Sequence, residues 1–252
     1  MTLVNSLTAA LIACALLGAA DTRTVDKTLP LPMKGSITIE NHNGSITVNT
    51  WDRPEIEVHA VIEMSAGFLS SDADRRRFND TRVDIGNAGD SVHIKSEYPT
   101  WDWLQGSNPD IHYTINAPRT ARWTVRTHNS RVDVRNLHAA LSITTHNGNI
   151  DVTGLAGALD LDTHNGNAKV QFASWTGPSS VDTHNGDIEL MMPAASRFTL
   201  QTGSHNGRVQ SDFAVTTRSV WRRGANLDGA VNGGGPALRL TSHNGSFRLR
   251  AN

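Results

Sequence analysis

Seven histidines share one repeated chemical setting. His42, His128, His146, His164, His184, His205 and His243 are each followed by asparagine, and all but His128, where Ser130 intervenes, then by glycine. Imidazoles at a regular interval can ligate zinc, copper or nickel, titrate near neutral pH, or pack and hydrogen-bond as a structural motif. For metal ligation the candidates are His128, His146, His164, His184 and His205, with Glu40, Asp162 and Asp182, two residues earlier on the same outer face, as oxygen donors. The structural reading takes the histidines as copied with the repeat and packing at its corners, and it is the one we expect.

A second set could do acid–base work. Asp151, Asp160, Asp162, Asp182 and Asp187 would lie along the strands of a parallel β-helix, a fold that can host polysaccharide-cleaving carboxylates. No nucleophile with a spaced base and an orienting acid accompanies them, so they read as the solvated side of strands and the chain as a non-enzyme. Gly233-Gly234-Gly235 lacks the lysine and helix pattern of a phosphate loop.

These residues need a scaffold, and alternation on both sides of each motif supplies one. Leu141, Ile143 and Thr145 share a face before one corner, and Ile150 and Val152 resume it after. The next coil repeats the pattern with Leu159, Leu161, Thr163, Ala168 and Val170. Steps of 18, 18, 20 and 21 residues separate His128, His146, His164, His184 and His205; a step of 38 to His243 is close to two coils. No coil can bury a core alone, so coils about 4.8 Å apart must stack into one apolar column. The expectation is an all-β, single-chain β-solenoid (β-helix-like) of 18–21-residue coils. An antiparallel meander of Asn-Gly hairpins is the alternative, but it would not keep both strand registers in step.

The corner residues are Asn43 and Gly44, Asn147 and Gly148, Asn165 and Gly166, Asn185 and Gly186, Asn206 and Gly207, and Asn244 and Gly245. Glycine suits them by reaching positive φ, with asparagine next most tolerant. The inward residue before each histidine is small and polar (Asn41, Thr127, Thr145, Thr163, Thr183, Ser204, Ser242), which predicts a ladder bonding the turning backbone.

The chain divides into residues 1–20 as a signal peptide, 21–50 as a leading strand and first coil, 51–118 as an inserted β-rich unit, and 119–252 as the main repeats. The insertion reads as strands around a short helix over 70–79 and could cap the open end of the stack. Residues 214–236, rich in glycine, read as a loop or a degenerate coil. The apolar run Leu7–Leu17, followed by Gly18-Ala19-Ala20, has the length of an export signal core, although no lysine or arginine precedes it. Leu11-Ile12-Ala13-Cys14 resembles a lipobox, but the apolar core continues past Cys14, which disfavours a lipid anchor. No later stretch is long enough to span a membrane.

Composition excludes several functions. A net charge of −1 gives no basic excess for a phosphate backbone, so nucleic acid is not an expected partner. Cys14 is the only cysteine, which removes internal disulfides and cysteine-based zinc sites. Trp101, Trp103 and Trp221, if exposed together, would mark a glycan or protein contact surface.

Val48-Asn49-Thr50-Trp51-Asp52 leading into Glu55-Ile56-Glu57-Val58, then Tyr113-Thr114-Ile115-Asn116-Ala117-Pro118, and repeated Asn-Gly-x-Ile-x-Val units such as Asn147 to Val152 together resemble the putative adhesin family of bacterial envelope proteins. That family comprises β-solenoid domains of unknown function. The resemblance implies an exported periplasmic or cell-surface protein that binds, adheres or scaffolds, with an envelope protein or glycan as partner and no established catalytic residues or cofactor. Histidine before almost every Asn-Gly is not a feature the family requires.

Overall fold

The computed structural model describes residues 21–64, 72–99, 108–217 and 227–252. Export signal, Cys14 and the three tryptophans Trp101, Trp103 and Trp221 lie outside these residues. Within them, strands and one helix follow in the order β1 (Asp21–Pro30), β2 (Ser36–Glu40), β3 (Asn43–Trp51), β4 (Glu55–Met64), α1 (Asp72–Asp80), β5 (Arg82–Ala88), β6 (Ser91–Glu97), β7 (Asp110–Pro118), β8 (Arg122–Arg135), β9 (Leu141–Asn147) and β10 (Ile150–Leu155). They continue as β11 (Leu159–Asn165), β12 (Ala168–Phe172), β13 (Ser179–Asn185), β14 (Ile188–Met192), β15 (Phe198–Asn206), β16 (Val209–Ser211), β17 (Val215–Thr217), β18 (Gly229–Val231), β19 (Ala237–Asn244) and β20 (Phe247–Ala251).

The strands form two walls meeting at the His-Asn-Gly corners. One wall runs β5-β6-β2-β8-β9-β11-β13-β19-β15-β18-β17, and the other β1-β4-β7-β3-β8-β10-β12-β14-β20-β16. Pairing from β2/β3 through β15/β16 is parallel and in register, so like residues stack: Ile39, Val125, Ile143, Leu161, Val181 and Leu240 on one wall. Val48, Val134, Val152, Val170, Leu190 and Leu249 do the same on the other. These side chains are at most 1% exposed, because each strand alternates and both walls turn their apolar face inward. The solenoid, not the meander, is the fold.

Coil order in space departs from coil order in sequence. β19/β20, the last coil of the chain, lies between β13/β14 and β15/β16. The 38-residue step is therefore not two coils stacked onward. It is an excursion through β16, β17 and β18, after which the chain returns to fill the gap. β18 pairs antiparallel with β15 and β17, covering that end of the first wall.

The insertion supplies both a coil and its cap. β6 and β7 pair in parallel with β2 and β3, continuing the stack beyond the first His-Asn-Gly coil. β5 and β4 then add antiparallel, and β1 pairs antiparallel with β4. The two outer edges are tied by side chains: Lys27 Nζ donates to the strand carbonyl of Ile85 at 2.6 Å and Asn87 Nδ2 to that of Pro30 at 2.7 Å, while Arg23 donates to the carbonyls of Asn79 and Thr81 at the end of α1. Each such bond removes an open edge group from those that could template aggregation. α1 covers this end, its Asp72 and Asp74 in the first turn and Arg77 in the last complementing the helix dipole.

Candidate functional site

The corner edge gathers every repeated His-Asn pair into one column. In spatial order the rings are His42, His128, His146, His164, His184, His243 and His205, with centroids 4.7–5.0 Å apart. His42/His128, His164/His184, His184/His243 and His243/His205 stack face to face, whereas His146 meets His128 and His164 edge-on. Except for half-buried His128 the rings are exposed. Strand alternation turns each outward beside its inward threonine or serine.

Beside the rings runs a second column that sequence reasoning did not identify as one. Asn129 Nδ2 donates to Asn43 Oδ1, Asn147 to Asn129, Asn165 to Asn147, Asn185 to Asn165, Asn244 to Asn185 and Asn206 to Asn244, each at 2.8–2.9 Å. A primary amide carries both donor and acceptor, so identical residues one coil apart can bond head to tail without limit. Two residues further on, backbone N–H groups use the same device: Asn167 N donates to Asn149 Oδ1, Asp187 N to Asn167 Oδ1, and Ser246 N to Asp187 Oδ1. The signal was present in the sequence as invariant asparagine at one register position.

These columns change the expected role of the inward hydroxyls. Thr145, Thr163, Thr183 and Ser242 are buried, and their hydroxyl oxygens have no hydrogen-bond partner. The corner backbone they were expected to satisfy is already bonded from coil to coil, as in Gly148 N to Asn165 O and Gly166 N to Asn185 O, both 3.0 Å. Ser204 and Asn41 follow the expectation, Ser204 Oγ donating to Gly245 O and Asn41 Nδ2 to Asn43 O; Thr127 Oγ1 instead donates to the side chain of Ser130, as Asn41 Nδ2 also does. Around Asn41, the Tyr113 hydroxyl lies 2.6 Å from Ser96 Oγ, which donates to Asn41 Oδ1, while burial pushes the Tyr98 phenol up to about 12. Tyr98 closes the column, edge-on to His42 at 5.9 Å.

Glycine is required at the corners mainly by close approach. A Cβ at Gly166 would fall 2.0 Å from the carbonyl oxygen of Gly148, one at Gly186 2.0 Å from that of Gly166, and one at Gly245 1.9 Å from that of Gly186. Positive φ is clear at Gly44, where φ is 117°. At Ser130 the chain stays in the unbroken strand β8 and the side chain turns inward, 1% exposed.

As a metal site, the ladder differs from expectation in two respects. His205 does not adjoin His184, because His243 stands between them, and His42 joins the column with His128. A metal ligated by imidazole lies in the ring plane, so parallel stacked rings cannot share an ion without rotating. Among the described residues no group of three or more His, Cys, Asp or Glu side chains is placed to hold a metal. Glu40 is paired with Arg126 at 3.6 Å.

The candidate carboxylates are not brought to one place. Asp160, Asp162 and Asp182 lie on the outer side of the first wall, Asp151 on the second, and Asp187 in the corner before β14. Asp162 and Asp182 are register neighbours. Partial burial, then Asp162, raises the Asp182 carboxyl above the usual range, while Arg239 and His184 pull it down. A concavity of about 920 Å³ opens beside β15 and β18, where Asp228 accepts from Thr202 N at 2.8 Å and Gly233–Gly235 line one side.

No helix among the described residues is long and apolar enough to cross a membrane. No curated protein matches the sequence. A putative cell adhesion protein from Clostridium sporogenes is similar in structure, with a TM-score of 0.50 at 8% identity over 91% of this chain and 100% of that one. A putative adhesin from Bacteroides fragilis gives 0.43 at 10% identity, over 91% and 97%. At such identities the first likeness speaks for the fold alone. The profile of the Toastrack DUF4097 family matches residues 17–249, almost the whole sequence, and the chain belongs to that family.

Proposed function

We propose that this chain is an exported, non-catalytic envelope module that binds or scaffolds a partner along its corner edge. One observation carries the reading: seven stacked His-Asn rungs line one edge, six of the seven imidazoles exposed, over about 29 Å of stack. A repeating polar edge suits an extended partner held at many equivalent points, a glycan or an envelope protein, better than a small substrate held in a pocket.

Two measurements test this. Fractionation of cells expressing the full chain should place it outside the cytoplasm, and recovery in the cytosol would end the envelope reading. Binding of the purified chain to immobilised envelope polysaccharides should be saturable and lost when His146, His164 and His184 are changed to alanine; retention in that variant rejects the edge as the surface. Calorimetric titration of the same pair with zinc, copper and nickel decides the metal alternative. Saturable heat lost in the variant would make the ladder a metal-binding surface instead.

A further inference from the structure

We propose that Asn206-Gly207 is a site of spontaneous deamidation, and that the asparagine ladder shields the other Asn-Gly corners from the same reaction. The chemistry is internal to the chain. The backbone nitrogen of glycine attacks Cγ of the preceding asparagine, a C–N bond forms, and the side-chain amide leaves as ammonia, taking the proton the backbone nitrogen gives up. Water then opens the five-membered imide to aspartate or isoaspartate. No oxidant or enzyme is needed. Glycine next to asparagine favours attack because it lacks a Cβ to obstruct ring closure.

In the interior coils both reacting groups are held apart. Gly148 N donates to Asn165 O, Gly166 N to Asn185 O, Gly186 N to Asn244 O and Gly245 N to Asn206 O, at 3.0–3.1 Å, so each nucleophilic nitrogen is aimed at the next coil. The electrophile is fixed too. The side-chain amide of Asn165 donates to Asn147 and accepts from Asn185, at 2.9 and 2.8 Å, and ring closure would have to break both bonds.

The outermost coil of the stack, β15/β16, lacks half of this protection. Among the described residues β15/β16 has no His-Asn-Gly coil beyond it, and Gly207 N has no asparagine carbonyl of a further coil to receive it. Asn206 Nδ2 donates to Asn244 Oδ1 at 2.8 Å, but among the described residues no further amide of the ladder donates to its own Oδ1. Asn206 is exposed. At the opposite end, Asn43 Oδ1 still accepts from Asn129, and Gly44 sits in β3 with strands paired on both sides. Asn232-Gly233, outside the ladder, has its amide donated to the carbonyls of Ala194 and Ser196.

Deamidation at this rung would have a directional consequence. A carboxylate at position 206 accepts but does not donate, so it faces Asn244 Oδ1 as acceptor against acceptor. The bond returns if Asn244 turns its amide over, but that breaks its bond to Asn185 unless each amide further along reverses in turn, which lets one terminal event be felt along the edge.

The test is peptide mapping by mass spectrometry of the full folded chain, aged under mildly alkaline conditions, against the same chain aged in urea. In the folded chain Asn206 should convert first, with Asn147, Asn165, Asn185 and Asn244 slower by about tenfold or more, because they must wait for local opening. In urea these five should converge. Interior rungs that convert as fast as Asn206 in the folded chain overturn the proposal. A lead for Asn206 that persists undiminished in urea overturns the shielding argument, since local sequence alone would then explain it.

Discussion

The side-chain amide of Asn244 donates to Oδ1 of Asn185 at 2.8 Å across 59 positions of sequence. His243 stacks on His184 beside it, ring planes 2° apart. The last coil of the chain is thus an interior coil of the stack, pinned on one side by β13/β14 and on the other by β15/β16.

Removing residues 237–252 should therefore not behave like trimming a terminal repeat, which normally costs only its own interface. It deletes the layer that β15 and β16 rest on. Hydrogen exchange of the truncated chain is expected to show protection lost over 198–211 as well, while β9 to β12 remain protected. Persistent protection of 198–206 would mean that coil is held mainly by β18.

Asn165→Ala breaks two rungs, one as donor and one as acceptor, whereas Asn206→Ala breaks one. At about 0.5–1.5 kcal/mol per net hydrogen bond, the first should destabilise by about 1–3 kcal/mol and the second by about half that. Urea unfolding of the two variants beside the parent chain measures the difference, and equal costs would count against a continuous ladder.

Gly166→Ala places a Cβ 2.0 Å from a backbone oxygen of the adjacent coil, and that oxygen can yield only by separating the coils. The expected cost is about 1–3 kcal/mol, with loss of register as the extreme outcome. Gly86→Ala meets nothing within 4 Å and serves as the control, expected within about 0.5 kcal/mol of the parent. Thermal melting of both variants gives the comparison.

Partial desolvation of its ring, then repulsion from His128, holds the His42 imidazole below its ordinary value although the residue stands at the exposed edge. A base whose folded pKa is depressed binds fewer protons folded than unfolded. Its contribution is thus intact above about pH 6.5 and is lost as pH falls through the lower folded value. An NMR titration should place the His42 midpoint below about 6.5, and His128→Ala should move it upward. A midpoint unmoved by that substitution would remove His128 as a cause.

Much of this molecule is legible in its residues. Alternation about Leu141–Val152 and its copies gives the strands, their inward faces and parallel stacking, because a period of two admits one buried face per strand. The spacing of His-Asn-Gly gives the coil length and an outward imidazole column. Less legible was what each corner residue does. Thr163 looked like the corner's hydrogen-bonding residue, yet Asn165 holds that role: its amide donates to one coil and accepts from the next, whereas the Thr163 hydroxyl is buried without a partner.

Sequence alone determined the repeat, the register and the polarity of each face, all of which are local properties of strand geometry. Tertiary structure alone decided the order of the coils. His205 and His243 carry the same motif and fit the same slot, so nothing in their neighbouring residues says which sits against His184. The choice falls to the excursion through β16, β17 and β18, whose antiparallel pairing on β15 closes that end and leaves Ala237–Ala251 to fill the gap. Cooperative burial of a whole layer settles what no local pattern encodes.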